Sequence, residues 1–219
     1  MAHGRGDTHC RAARDTGKMV RCERRAIAPP HGYAALMADD DLPEGLSYVE
    51  DFISEDEEQS LLTVLDAMEF HELTMRGQTA RRTVRHFGLG YAYESGEVAP
   101  TDPLPEELAW LRERCAALIE RDAEDLVQVL VTRYPEGAGI GWHRDAPMFG
   151  SRIAGVSLRA PCRMRFQRTL RGERSVAAIE LAPRSAYVLS GKARWSWQHS
   201  IPATKDLRYS ITFRTLRRG

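Results

Sequence analysis

The chain has 219 residues, 42% hydrophobic and 28% charged, with 31 Lys and Arg balancing 31 Asp and Glu. That length suits one domain with a core of its own, and no apolar run approaches the roughly 20 residues that span a bilayer. The N-terminal MAHGRGDTHCRAARDTGKM lacks the apolar stretch of a secretory signal, so a soluble, cytoplasmic, monomeric protein with no membrane partner is expected.

Residues 1–36 are rich in Arg, Ala and Gly, show no apolar period and end in IAPPHGY. They read either as a disordered tail or as the product of a start codon placed too early, since Met37 opens a more regular stretch. Deleting them is expected to leave folding and activity intact, and a lower melting temperature after truncation would contradict this. Residues 37–219 read as a single domain, 37–125 its helical, substrate-lid part and 126–219 its β core.

Charge divides the chain the same way. Residues 1–36 carry 7 Lys or Arg and 3 Asp or Glu, residues 37–124 carry 7 and 22, and residues 125–219 carry 17 and 6. A basic C-terminal half is either a solvated face balancing the acidic part or a surface for a polyanion. Cys10, Cys22, Cys115 and Cys162 are scattered without a CxxC pair, which suits neither zinc nor a disulfide framework.

Ser54 opens the first helix as the N-cap of a capping box, SEDE, with Glu57 reaching back; Leu61, Leu65 and Met68 then share a face. LPEELAWLRERCAALIERDA, residues 104–123, is a second helix, with Pro105 in its first turn and Leu108, Leu111, Cys115 and Leu118 as its apolar stripe. Between them, TARRTVRHFGLGYAYES reads as short strands and turns. From residue 126 onward, LVQVLVTRY, RIAGVSLRA, CRMRFQR, AAIELAP, SAYVLSG, WSWQHSI and RYSITFRTL read as strands separated by Pro and Gly turns. Many short strands predict a barrel or jelly roll.

GWHRDAPMFG, residues 141–150, shares His-Arg-Asp with protein kinase catalytic loops, but the Asn required five residues after the Asp is Gly150, and no Gly-rich loop or DFG accompanies it. In an extended segment His143 and Asp145 point to one face and can aim at one ion, with Arg144 pointing the other way. His199 is the best third ligand, and two histidines with a carboxylate leave three positions open on octahedral Fe(II). An HxD pair also arises by chance, and His199 also suits a satisfied core histidine. Arg208 and Arg214 fall on one face of the last strand with Ser210 and Thr212 between them. Facing inward, the two cations need anions, which a dicarboxylate supplies. If Tyr209, Ile211 and Phe213 form the core face, the arginines are instead solvated, and periodicity leaves both arrangements open.

Taken in order, TRYPEGAGIGWHRD, GVSL, VLSGKARWSWQHSIP and LRYSITFR resemble the AlkB-type Fe(II)/2-oxoglutarate dioxygenases, clearly over residues 126–216 and more weakly over 46–125. The resemblance implies an α+β fold, with a double-stranded β-helix (jelly roll) core and N-terminal helices packed on one side. It implies Fe(II) held by His143, Asp145 and His199, with 2-oxoglutarate as cosubstrate and O2 as oxidant. Arg208 would meet the distal carboxylate of 2-oxoglutarate, helped by Tyr134 and Ser210, and Arg214 the proximal one. Thr132 stands where the family often has a cosubstrate-binding asparagine. The implied reaction couples decarboxylation of 2-oxoglutarate to hydroxylation of a substrate carbon; a hydroxylated N-methyl group then leaves as formaldehyde.

The family includes dealkylases of DNA and RNA bases and members acting on protein. Repair of N-alkylated bases in single-stranded DNA or RNA is the favoured reading, with a protein side chain or small molecule as the alternative, and a non-enzymatic binding module is opposed by the intact triad and arginine pair. Arg81, Arg82, Arg85 and His86 beside Tyr91 and Tyr93 could form a phosphate-holding and base-stacking lid, although the tyrosines could equally pack a small sheet. Arg85, Tyr91, Tyr93 and Trp142 are the candidate substrate contacts, Trp142 alternatively packing the turn. Well-studied base-repair members carry an acidic residue two positions after the iron-binding Asp, where this chain has Pro147, so base preference does not transfer.

Overall fold

The computed structural model describes residues 42–75, 78–91 and 98–217, without the side chains of Met75, Gln78, Tyr91 and Val98. The readings for residues 1–36 and for Tyr93 lie outside these. In chain order the elements are β1 (Leu46–Val49), α1 (Glu55–Asp66), β2 (His71–Met75), β3 (Gln78–Tyr91), β4 (Val98–Pro100), α2 (Ala109–Leu118), β5 (Gln128–Tyr134), β6 (Ile140–His143), β7 (Phe149–Leu158), β8 (Cys162–Leu170), β9 (Glu173–Leu181), β10 (Ala186–Leu189), α3 (Gly191–Trp195), β11 (Gln198–Ile201) and β12 (Arg208–Leu216).

The strands form two sheets. The larger runs β1-β10-β7-β12-β5-β3-β2, with β4 on β3; the smaller runs β6-β11-β8-β9. All strand pairings among the described residues are antiparallel. This is the jelly roll expected from the strand pattern.

Two hydrophobic clusters lie on opposite sides of the larger sheet. Leu61 and Leu65 of α1 and Leu111 and Cys115 of α2 pack against Val129, Val131, Ile211 and Phe213. The other cluster joins Tyr134, Ile153 and Tyr187 of the larger sheet to Met164 and Phe166 of the smaller. Strands β5, β7 and β12 are therefore covered on both faces, and they carry few exposed residues. Tyr209, Ile211 and Phe213 do form a core face, but the opposite face is buried too, so the arginines of β12 point into the molecule rather than into solvent.

The capping box forms as read: Ser54 N donates to Glu57 Oε2 at 2.8 Å and Glu57 N to Ser54 Oγ at 3.2 Å. The second helix is shorter than residues 104–123, because a 3-10 turn, Glu106–Leu108, capped by Pro105 precedes α2. Two further expectations are corrected. TARRTVRHFGLGYAYES does not break into short strands; most of it is β3, 14 residues long. Gly88, the apparent breaker, takes φ +76, where a Cβ would collide with Val127 O, and it exchanges backbone hydrogen bonds with Asp102 and Thr101. The front part is also not mainly helical, since it supplies β1, β2, β3 and β4 to the larger sheet. In WSWQHSI only Gln198 to Ile201 are strand, because Trp195 ends α3. Among the described residues, no helix is long and apolar enough to cross a membrane.

Candidate active site

Between the sheets lies a cavity of about 320 Å³, bordered by His143, Asp145 and His199 on one side and by Tyr134, Thr132, Ser210 and Arg214 on the other. Strand pairing assembles both sides. His199 of β11 is the cross-strand partner of His143 of β6, which puts the two ring centroids 4.2 Å apart. Asp145 lies just past the end of β6, with Oδ2 3.6 Å from His199 Nε2. On the larger sheet, β12 pairs with β5 so that Arg208 faces Tyr134, Ser210 faces Thr132 and Arg214 faces Gln128.

Protonation is set by burial and by neighbouring charge. Burial, then His143, pushes the His199 imidazole down to about 3, so it is neutral. Burial likewise lowers His143, whose Nδ1–H donates to Gly141 O at 2.9 Å and leaves Nε2 as the free lone pair. Burial opposes ionisation of Asp145, but the guanidinium of Arg214, with that of Arg194, holds its carboxyl well below the usual range. Two neutral imidazoles and one carboxylate are the donor set a divalent iron takes. As the side chains stand, no three His, Cys, Asp or Glu among the described residues surround a single point at ligand distance. Asp145 gives Oδ1 to Arg214, and its Oδ2 faces His199.

Arg208 is fully buried. Its Nη2 donates to Ser157 Oγ at 2.9 Å and its Cζ stacks 4.9 Å from the Tyr134 ring centroid, yet Nε and Nη1 have no partner among the described residues. A buried guanidinium without an anion is costly, and it fits a carboxylate that arrives with a ligand. Arg214 is tied on both sides: besides Asp145, its Nη1 donates to Gln128 Oε1 at 2.9 Å, and Gln128 Nε2 in turn donates to His86 Nδ1 at 3.2 Å.

Several expected positions need restating. Arg144, just past the end of β6, is exposed although it is among the residues bordering the cavity. Arg85 is turned away from the cavity: it pairs with Asp102 and donates to His71 Nε2 at 2.7 Å, on the β3 face opposite Arg82 and Val84, which do border the cavity. Trp142 borders the cavity, but its ring lies 5.1 Å from Arg165 Cζ, on the outward face of the smaller sheet. Tyr91 ends β3 with its side chain undescribed. Pro147 is exposed and does not border the cavity.

Sequence reasoning gave no role to Arg194. It is buried and donates to the carbonyls of Asp145, Ala146, Phe149 and Gly150, clamping the loop that carries Asp145. It stands in the SGKAR stretch, five residues before His199. Gln128 was missed because nothing in VQVLV marks one polar residue as facing inward. Gly155 is required by close approach: a Cβ there would run into the Tyr187 ring, which forms a cavity wall.

The sequence profile described as "2OG-Fe(II) oxygenase superfamily" matches residues 45–214. An Arabidopsis thaliana protein named "Alkylated DNA repair protein ALKBH8 homolog" is 33% identical over 74% of this chain and 51% of its own length. The Xenopus tropicalis "tRNA (carboxymethyluridine(34)-5-O)-methyltransferase alkbh8" is 31% identical over 75% of this chain. The chain thus spans about half of the first relative and 26% of the second. Among solved structures, "The structure of OsALKBH1" superposes with a TM-score of 0.58, covering 80% of this chain and 99% of the other at 15% identity, a likeness of fold.

Proposed function

Because the chain belongs to the 2OG-Fe(II) oxygenase superfamily, as a member of AlkB type, we propose that it oxidatively dealkylates N-alkylated bases in single-stranded DNA or RNA. The family uses Fe(II), 2-oxoglutarate and O2. Bound together they supply the oxidising power, 2-oxoglutarate ending as succinate and CO2. We assign iron to His143, Asp145 and His199. Their protonation favours this, since each offers a lone pair without first losing a proton. Arg214 holds the second oxygen of Asp145 and is the guanidinium for the proximal carboxylate. Arg208 takes the distal carboxylate beside the hydroxyls of Tyr134, Ser210 and Thr132. Arg194 fixes the Asp145 loop through four carbonyls, so that the carboxylate does not swing away from the histidines. Apolar walls at Leu130, Met164 and Phe149 exclude water from the reacting carbon.

The observation that carries this reading is Arg208, a fully buried cation with two nitrogens unpartnered among the described residues, stacked on the Tyr134 ring that borders a cavity holding two histidines and an aspartate. The nucleic-acid half rests on the basic C-terminal part of the sequence and on the printed names of the Arabidopsis and Xenopus relatives.

Its test is anaerobic loading with Fe(II) and 2-oxoglutarate, then O2 with a panel of methylated and etheno-modified oligonucleotides. Formaldehyde and restored base are expected from part of the panel. Succinate formed with a protein or small molecule, and no restored base from any oligonucleotide, would replace this reading with the alternative substrate class.

A further inference from the structure

Arg82 has a use that the iron and cosubstrate assignments leave open. It lies on the inward face of β3, borders the cavity and is only 8% exposed. Among the described residues it has neither hydrogen bond nor ion pair. It is near enough to His143 for its charge to help keep that imidazole unprotonated. Of the other arginines at the site, Arg214 pairs with Asp145, Arg208 stacks on Tyr134 and Arg144 is exposed to solvent. Asp145 is also the only carboxylate among the described cavity-lining residues, against Arg82, Arg144 and Arg214. The charges of a divalent iron and a dicarboxylate would cancel, and Asp145 cancels Arg214. The space left for substrate is therefore cationic, with the planar Arg82 donor in its wall held by no described protein group and open to an incoming acceptor.

Resting on the dealkylation reading above, we propose that Arg82 selects substrate by charge: it donates to a carbonyl oxygen of an inserted neutral base and rejects bases that alkylation has made cationic. N-alkylated bases divide along this line. Alkylation at N1 of adenine or N3 of cytosine fixes a positive charge, whereas N1-alkylguanine and N3-alkyluracil stay neutral and keep carbonyl acceptors beside the alkylated nitrogen. A buried guanidinium penalises the first group by like-charge repulsion in a desolvated space and rewards the second by a charge-assisted hydrogen bond. A contact to backbone phosphate fits less well, since phosphates stay in solvent while Arg82 is enclosed within the cavity.

The full chain, loaded with Mn(II) and 2-oxoglutarate so that no turnover occurs, is titrated with four otherwise identical oligonucleotides carrying 1-methyladenine, 3-methylcytosine, 1-methylguanine or 3-methyluracil. The Fe(II) enzyme is then assayed on the same four for formaldehyde. The neutral pair is expected to bind and react at least about tenfold better than the cationic pair. Arg82→Gln should narrow that ratio about tenfold and Arg82→Glu should invert it, with 2-oxoglutarate affinity within about twofold of wild type in both. A ratio unchanged in both variants, equal weakening of all four oligonucleotides, or 2-oxoglutarate affinity lost with Arg82 would each overturn the assignment while leaving dealkylation standing. Failure of all four to bind and react would overturn the nucleic-acid reading, and this assignment with it.

Discussion

Arg208 holds a charge in the protein interior that no acidic group among the described residues neutralises. The guanidinium is fully buried, donates once to Ser157 and leaves Nε and Nη1 without acceptors. Such a group destabilises the empty protein and repays the cost when a carboxylate arrives. Arg208→Met keeps the volume and removes the charge. It should raise the melting temperature of the metal-free protein, by the equivalent of about 1–3 kcal/mol, and abolish the further rise that Mn(II) with 2-oxoglutarate gives the wild type. Arg214→Ala should behave differently. Arg214 is bound to Asp145 and to Gln128, so its loss frees a metal-side carboxylate. Metal and 2-oxoglutarate affinities, measured by calorimetry, should both fall about tenfold or more. An Arg214→Ala protein with unchanged 2-oxoglutarate affinity would mean that β12 does not supply the proximal carboxylate's partner. Both arginines were legible from their even spacing. What the spacing left open was whether they faced solvent or interior, because β12 is covered on both faces and its apolar residues satisfy either arrangement.

At the scale of elements, Glu57 does two jobs in the packing of α1. It closes the capping box with Ser54, and it accepts from Arg114 of α2 through both oxygens, at 2.6 and 2.9 Å. Hydrogen bonding from Arg114 is the largest influence on its carboxyl and lowers it. Ser54→Ala removes one cap and should cost about 1 kcal/mol in urea unfolding. Glu57→Ala removes the return cap and the bridge between helices; discounted for a pair about a third exposed, it should cost about 1–2 kcal/mol. Capping signals are local, so α1 was readable from four letters. The long strand β3 was not. Its glycines mimic breakers, and only the approach of Val127 and the hydrogen bonds to Asp102 and Thr101 show that Gly88 bends the strand without ending it. The same limit explains the substrate side: which face of β3 carries Arg82 and which Arg85 depends on register with β5, a pairing far apart in sequence.

For the molecule as a whole, enclosing the site between two sheets leaves His199 buried, His86 and His143 half-buried, and all three uncharged. Burial, then the charges of Arg214 and His71, pushes His86 down to about 4, and burial leads the lowering of His199 and His143. Each folded pKa lies below the unfolded value near 6.5. As pH falls through 6.5, the unfolded chain takes up protons that the native chain refuses. The stability these neutral rings contribute is therefore complete above about pH 6.5 and is lost as pH drops towards 4. In that interval the metal-free protein should lose stability with a slope of up to about three protons, each worth about 1.36 kcal/mol per pH unit. His86→Gln replaces the ring with an amide that can still meet Gln128, and it deletes one titrating group. Urea midpoints at pH 7.0, 6.0, 5.0 and 4.5 should fall less steeply in the variant, by about one proton's worth of slope, with the midpoint at pH 7.0 nearly unchanged. Parallel slopes for wild type and variant would show that His86 takes up its proton at the same pH in the folded and the unfolded chain, and that the Gln128–Arg214 arrangement beside it tolerates a cation.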